Sequence, residues 1–263
     1  MSRLQPVFDA CRAQGRAALV GYLPAGYPTV AGSVTSLRTM VDAGCDLLEV
    51  GVPYSDPVMD GPTVQAAAET ALRAGVRLRD VISVVEQVSA AGGAAVVMTY
   101  YNPVRRYGID AFARDLAAAG GLGMITPDLV PDEAGAWLAA AETHDLDRIF
   151  LLAPSSSEER VASTAAASRG FVYAASTMGV TGARDAVSDA APTLVGRVRT
   201  HSDIPVGVGL GIRSGAQAAQ VAGYADAVIV GSALVTAAEQ GQAELRALVG
   251  ELAEGVRSAA VAP

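Results

Sequence analysis

Short apolar runs alternate with longer amphipathic stretches at a steady pace along the whole chain. Eight of the short runs have the composition of strands, and helical periodicity fills most of the intervals between them. The predicted strands are Ala17–Tyr22, Asp46–Val50, Ala95–Tyr100, Gly123–Ile125, Arg148–Leu152, Phe171–Ala174, Pro205–Val208 and Ala227–Val230. Strands alternating with helices are typical of βαβ units, so the pattern predicts a parallel sheet with crossover helices.

The number of repeats favours a closed sheet. Eight βα units in 263 residues, without a linker, predict a single (β/α)8 TIM-barrel domain over residues 1–263. The alternative is an open doubly wound sheet, which would carry a glycine fingerprint after its first strand. The first turn, Leu23-Pro24-Ala25-Gly26-Tyr27-Pro28, lacks that fingerprint. Two helical patterns, Thr63–Ala74 and Leu78–Ala91, separate the second and third strands, so we expect helices beyond the basic eight.

The charged residues exclude several function classes. A net charge of −8 argues against nucleic acid or an anionic membrane as a partner, because both require concentrated positive charge. The sequence contains no lysine, which excludes a lysine Schiff base, including pyridoxal phosphate held by an internal lysine. No signal-peptide core precedes Arg16 and no apolar run reaches the ~18 residues of a membrane span, so we expect a cytoplasmic protein. Cys11 and Cys45 are expected to be buried thiols.

One carboxylate is predicted at the mouth of the barrel, where reactive groups of this fold lie. The side-chain period of two places Leu47 and Glu49 on the same face of the second strand. If that face points inward, burial raises the pKa of Glu49, as a general acid or base near neutral pH requires. The alternative is an ion pair between Glu49 and an arginine outside the barrel.

A second carboxylate, Asp60, lies in the proline-rich segment that follows, Gly51–Pro62. Three prolines restrict this segment to a shaped loop. The turn at Gly61-Pro62 could direct Asp60 over the mouth, or Asp60 could cap the helix that begins near Pro62. Asp56, which precedes Pro57, is an equally plausible turn former, and the spacing leaves these alternatives open.

Glycine-rich turns follow the last three predicted strands. They are Gly179-Val180-Thr181-Gly182, Gly207-Val208-Gly209-Leu210-Gly211 and Gly231-Ser232-Ala233. This is where barrels commonly bind phosphate through backbone N–H groups at a helix N-terminus, so a phosphate site is predicted. The two histidines, His144 and His201, have no ligand spacing, and no metal site is predicted. Tyrosines near strand ends (Tyr22, Tyr100, Tyr101 and Tyr173) could line a flat apolar pocket or simply pack against the core.

The segment Leu48–Gln65 closely resembles the signature of the tryptophan synthase alpha chain family. The resemblance continues in order through Thr99–Pro103, Pro127–Glu133, Gly179–Gly182 and Gly207–Ile212. It implies cleavage of indole-3-glycerol phosphate to indole and glyceraldehyde 3-phosphate. In this family's pattern Glu49 is the acid–base group for indole C3 and the glycerol hydroxyl, and Asp60 accepts the N1–H hydrogen bond.

The resemblance also implies the remaining contacts and the partner. The ring pocket and substrate contacts correspond to Tyr22, Tyr100 and Tyr173, and the phosphate contacts to Gly182, Gly211, Gly231 and Ser232. It further implies that this chain carries no cofactor, because pyridoxal phosphate is expected only on a partner beta chain in an alpha2beta2 complex. Two alternatives stay open: a stand-alone lyase that releases indole, and a non-catalytic barrel that activates a beta chain. The presence of both carboxylates disfavours the second.

Overall fold

The chain forms a closed barrel of eight parallel strands. A computed structural model of the protein describes residues 1–175, 190–209 and 211–259. Neighbouring strands pair in sequence order, and the first strand also pairs with the eighth, which closes the sheet. The strands are β1 (Ala18–Pro24), β2 (Leu47–Gly51), β3 (Ala95–Met98), β4 (Gly123–Thr126), β5 (Asp147–Leu152), β6 (Val172–Ala175), β7 (Val206–Gly209) and β8 (Ala227–Val230). The predicted barrel is confirmed, and the open-sheet alternative is wrong.

Helices surround the barrel, and the connection between β2 and β3 contains two of them, as predicted. Within the described residues the α-helices are α1 (Gln5–Ala13), α2 (Val30–Ala43), α3 (Pro62–Arg73), α4 (Leu78–Ala90), α5 (Tyr101–Tyr107), α6 (Ile109–Ala118), α7 (Gly135–Thr143), α8 (Glu158–Ala167), α9 (Ala190–Arg199), α10 (Gly215–Ala222), α11 (Ser232–Gln240) and α12 (Gln242–Ser258). The predicted helix Asp132–Thr143 is wrong at its start. Pro131–Glu133 forms a 3₁₀ turn, and Ala134, with φ −87° and ψ 6°, separates it from α7.

Apolar side chains fill two concentric layers. One layer lies between the strands and the surrounding helices, and the other occupies the interior of the barrel. Leu47 belongs to the inner layer, which confirms that its face of β2 points inward. The amino end of the barrel is closed by α1, whose Phe8 packs against Phe171 with ring centroids 5.9 Å apart. The carboxyl end is therefore where an internal site can open.

A buried carboxylate fastens the N-terminal segment across the base. Asp147 is fully buried and accepts hydrogen bonds from Ser2 Oγ (2.6 Å), Leu4 N (2.8 Å) and Arg169 Nε (2.7 Å). Charge-assisted bonds of this kind satisfy a carboxylate that burial would otherwise destabilise. Cys11 and Cys45 are free and buried, as expected. Among the described residues, no helix is both long enough and apolar enough to cross a membrane.

Candidate active site

A cavity opens at the carboxyl end of the barrel. Eight of the predicted site residues contribute to its wall, whereas Tyr101, the fourth tyrosine considered for the pocket, does not; Gly182 lies outside the described residues. The lining residues are Tyr22, Glu49, Val52, Asp60, Val64, Met98, Thr99, Tyr100, Pro127, Tyr173, Gly211, Ile229, Gly231 and Ser232. A mixed apolar wall with a few convergent polar groups is typical of a small-molecule site.

Glu49 is the ionisable group at the floor of this cavity. It pairs in register with Tyr22 of β1 and Val96 of β3, points inward, and is 2% exposed. Its Oε1 atom has no hydrogen-bond partner among the described residues. Burial raises the pKa of the Glu49 carboxyl from 4.5 to about 8, so the group is largely protonated at neutral pH. The alternative of an ion pair outside the barrel is wrong, because Glu49 faces the interior.

Asp60 reaches the same cavity from the loop between β2 and α3. Its Oδ1 atom accepts a hydrogen bond from Tyr100 Oη at 3.0 Å, and its backbone carbonyl accepts one from Gln65 Nε2 at 2.7 Å. Helix α3 has Gly61 at its N-cap position and no side-chain cap, so the helix-capping alternative for Asp60 is wrong. Burial raises the pKa of Asp60, and the hydrogen bond from Tyr100 opposes that rise.

Two strand glycines make room for the tyrosines of the pocket. A Cβ atom on Gly51 would lie 2.6 Å from Cε2 of Tyr22, and one on Gly209 would lie 2.7 Å from Cζ of Tyr173. Only a residue without a side chain therefore fits at either position without displacing a ring. Burial is the main reason that the pKa values of Tyr22 and Tyr173 lie well above 10, and both phenols stay protonated.

The part of the cavity wall that follows β7 and β8 is built largely from backbone. Gly211 has φ +93°, a conformation that favours glycine, and Gly231 is the N-cap of α11. Ser232 begins α11 and is 8% exposed. The first N–H groups of a helix have no partner within it, so this end of the cavity offers donors suited to an anion without a cationic side chain.

Six lining residues escaped sequence analysis. Met98 and Ile229 could have been found, because alternation along β3 and β8 puts them on the same face as the inner-layer residues Val96 and Ala227. Val52, Val64, Thr99 and Pro127 come from loops and helix starts, where periodicity carries no signal. The two histidines lie elsewhere, with His144 bonded to Asp110 and His201 to Glu158. Within the described ranges no group of three or more possible metal ligands occurs.

The family is decided by comparison with known proteins. A family model described as "Tryptophan synthase alpha chain" matches residues 8–262. The chain belongs to the tryptophan synthase alpha chain family. The alpha chain of Mycobacterium tuberculosis is 73% identical over 256 residues, which are 97% of this chain and 95% of the relative. The alpha chain of Nocardia farcinica is 70% identical over 261 residues, 99% and 98% of the two chains.

Solved structures give the same assignment. A structure of tryptophan synthase from M. tuberculosis superposes with a TM-score of 0.95 at 71% identity, covering 97% of this chain and 98% of the other. An alpha chain from Legionella pneumophila has a TM-score of 0.86 at only 29% identity, with 97% of each chain covered. The tryptophan synthase alpha chain fold is therefore retained here at both high and low identity.

Proposed function

We propose that this chain cleaves indole-3-glycerol phosphate into indole and glyceraldehyde 3-phosphate. Membership of the tryptophan synthase alpha chain family makes it a lyase subunit of tryptophan biosynthesis. The observation that carries the site assignment is one cavity whose wall combines a buried, protonated Glu49, a second carboxylate, Asp60, and a glycine-rich helix N-terminus. We treat residues 1–263 as one catalytic domain.

Glu49 serves both proton transfers in the proposed mechanism. Indole C3 is bonded to a hydroxylated carbon and cannot leave as a carbanion, so C3 must first gain a proton. A carboxyl whose pKa is about 8 holds that proton at neutral pH and can deliver it. The resulting Glu49 carboxylate then takes the proton of the glycerol hydroxyl. The C–C bond breaks, its electrons return to the indole ring, and the hydroxylated carbon becomes the aldehyde.

Asp60 stabilises the charge that protonation creates. Once C3 is protonated, positive charge accumulates on the ring nitrogen N1. An ionised carboxylate that accepts the N1–H hydrogen bond lowers the energy of this intermediate, and it does so strongly in a site shielded from water. Tyr22 and Tyr173 are proposed to border the indole and the glycerol chain. Gly182, Gly211, Gly231 and Ser232 are proposed to bind the phosphate through backbone N–H groups and the serine hydroxyl.

The proposed partner is a tryptophan synthase beta chain, in an alpha2beta2 complex that carries pyridoxal phosphate on the beta chain alone. A chain without lysine cannot form the internal Schiff base that this cofactor uses, which is consistent with a cofactor held by the beta chain. Two exposed apolar residues, Val58 (68% exposed) and Val130 (39% exposed), lie in loops at the carboxyl end, and they suit a protein contact there. A cytoplasmic location is part of the same proposal.

A steady-state assay with indole-3-glycerol phosphate tests the function, with and without a beta chain. Slow turnover that the beta chain accelerates supports the proposal. Fast turnover without any effect of the beta chain supports the stand-alone lyase. If neither condition gives indole, and the chain still accelerates a beta chain, the barrel is a non-catalytic activator and the proposal is wrong.

A further inference from the structure

The hydroxyl group of Tyr100 makes three hydrogen bonds in one small region of the cavity wall. Its Oη atom lies 3.2 Å from the backbone nitrogen of Val58, 3.0 Å from that of Met59, and 3.0 Å from Oδ1 of Asp60. Tyr100 is 5% exposed, and its ring packs against Tyr54 with centroids 5.0 Å apart. One phenol therefore joins the loop after β2 to the carboxylate at the end of that loop.

The direction of these hydrogen bonds is fixed by counting donors and acceptors. A tyrosine hydroxyl has one proton to donate and two lone pairs that can accept. The N–H groups of Val58 and Met59 can only donate, so they occupy both lone pairs of Tyr100 Oη. The single hydroxyl proton must then point to Asp60 Oδ1, which can only accept it. The network runs one way, from the backbone through Tyr100 to Asp60.

We infer that Tyr100 is a positioning residue, whose hydroxyl holds Asp60 as an oriented acceptor and links its orientation to the backbone at residues 58–59. The inference rests on the proposed function, because Asp60 matters only if it accepts a hydrogen bond from substrate. With Oδ1 occupied by Tyr100, Oδ2 is left to accept the indole N1–H; it makes no hydrogen bond to the described residues. The part assigned to Tyr100 by resemblance, a contact with the substrate ring, is then secondary.

The same hydrogen bonds connect the position of the loop after β2 to the orientation of the Asp60 carboxylate. Val58 is 68% exposed while its N–H group is bonded inward to Tyr100. A displacement of Val58 or Met59 removes one of the two N–H groups that anchor Tyr100 Oη, so the hydroxyl that donates to Asp60 is held less firmly in place. Contacts made by the outer surface of this loop are thereby transmitted to the carboxylate through a single side chain.

The test is Tyr100→Phe, which keeps the ring and removes only the hydroxyl. We expect kcat for indole-3-glycerol phosphate to fall about 10- to 100-fold, as for loss of a hydrogen bond to a charged group, and KM to change much less. The acid limb of the pH–rate profile should move to higher pH, because the bond from Tyr100 lowers the pKa of Asp60 and its loss lets that pKa rise. In an Asp60→Asn background the same substitution should change kcat by less than about threefold.

Tyr107→Phe is the matched control. It also removes a tyrosine hydroxyl that donates to an aspartate, Asp115 Oδ2 at 2.7 Å, but it lies outside the cavity and should leave kcat of the isolated chain unchanged. Circular dichroism and thermal melting verify that each variant folds. Undiminished kcat with an unmoved acid limb in Tyr100→Phe overturns the inference. An equal loss of kcat in the wild-type and Asp60→Asn backgrounds also overturns it, since Tyr100 would then act independently of Asp60.

A second measurement separates this inference from the proposed function. The Asp60 carboxyl can be titrated by carbon NMR in protein labelled at aspartate, with Asp60→Asn identifying its signal. We expect a higher pKa for Asp60 in Tyr100→Phe than in wild type, whether or not either protein turns over substrate. An unchanged titration refutes the positioning role even if the lyase reaction is confirmed. Absent turnover in the wild type together with a shifted titration refutes the proposed function alone.

Discussion

Replacing Glu49 by glutamine is expected to stabilise the fold while removing the activity. The substitution keeps the shape of the side chain and eliminates its charge. Glu49 is 2% exposed, and its Oε1 atom has no partner among the described residues, so its ionised form lacks compensation in the folded state. Glutamine cannot deliver or accept the proton that the proposed mechanism requires, and we expect kcat to fall to background.

The size of the stabilisation follows from the pKa of Glu49 and depends on pH. A carboxyl with a pKa of about 8 when folded and 4.5 when unfolded binds more protons in the folded state, so stability falls as pH rises above 4.5. Each tenfold difference in proton affinity corresponds to about 1.4 kcal/mol. Compared with a side chain that never ionises, Glu49 therefore lowers the unfolding free energy by about 3 kcal/mol at pH 7 and by about 5 kcal/mol well above pH 8.

Urea unfolding of wild type and Glu49→Gln at pH 5, 7 and 9 measures this difference directly. The advantage of the variant should be small at pH 5 and should grow to several kcal/mol at pH 9. Glu86→Gln, which neutralises an exposed carboxylate on α4, is the matched control and should show no comparable dependence on pH. An advantage that stays constant from pH 5 to 9 would refute the raised pKa of Glu49. Retained turnover in Glu49→Gln would remove the residue from the acid–base role.

Three further substitutions test other parts of the structure. Gly209→Ala should reduce kcat/KM and destabilise the protein by about 1–3 kcal/mol, because the added Cβ would displace Tyr173. Gly250→Ala is the control in urea unfolding and kinetics, since a Cβ there has no atom within 4 Å. Gly211→Asp should raise KM about tenfold or more by setting a carboxylate against the phosphate, and an unchanged KM counts against that site. Asp147→Asn should lower the unfolding free energy by about 2–3 kcal/mol without changing kcat, and equal stability would show that the base network is dispensable.

Much of this architecture could be predicted because the barrel repeats a simple rule. Inward and outward side chains alternate along each strand, so the position of Glu49 follows once its neighbour Leu47 is recognised as apolar and inward-facing. The limits of the strands follow the alternation less closely. Strand β3 ends at Met98 instead of Tyr100, because Tyr100 turns away as the N-cap of α5. Helix α5 itself was missed, since it has only seven residues and contains Pro103 in its first turn.

Other features depend on contacts between distant parts of the chain. The sequence predicts a turn at Gly209, whereas Gly209 ends β7 and accommodates Tyr173 from the neighbouring strand. The bond between Tyr100 and Asp60 joins residues 40 positions apart and requires two loop N–H groups to converge on one oxygen atom. No local pattern encodes such a convergence. Spacing alone therefore leaves capping and catalysis open for Asp60; the family resemblance implies catalysis, and the Gly61 N-cap of α3 excludes capping.

The N-terminal helix has a consequence for the traffic of small molecules. Helix α1 lies across the base of the barrel, with Phe8 against Phe171 and Leu4 bonded to Asp147, so the barrel interior is closed at its amino end. Substrate and both products must therefore pass the carboxyl end, because the floor gives an aromatic product no separate way out. A protein surface or loop that covers the carboxyl end of the barrel therefore determines the order in which the two products leave and the direction in which the aromatic product moves.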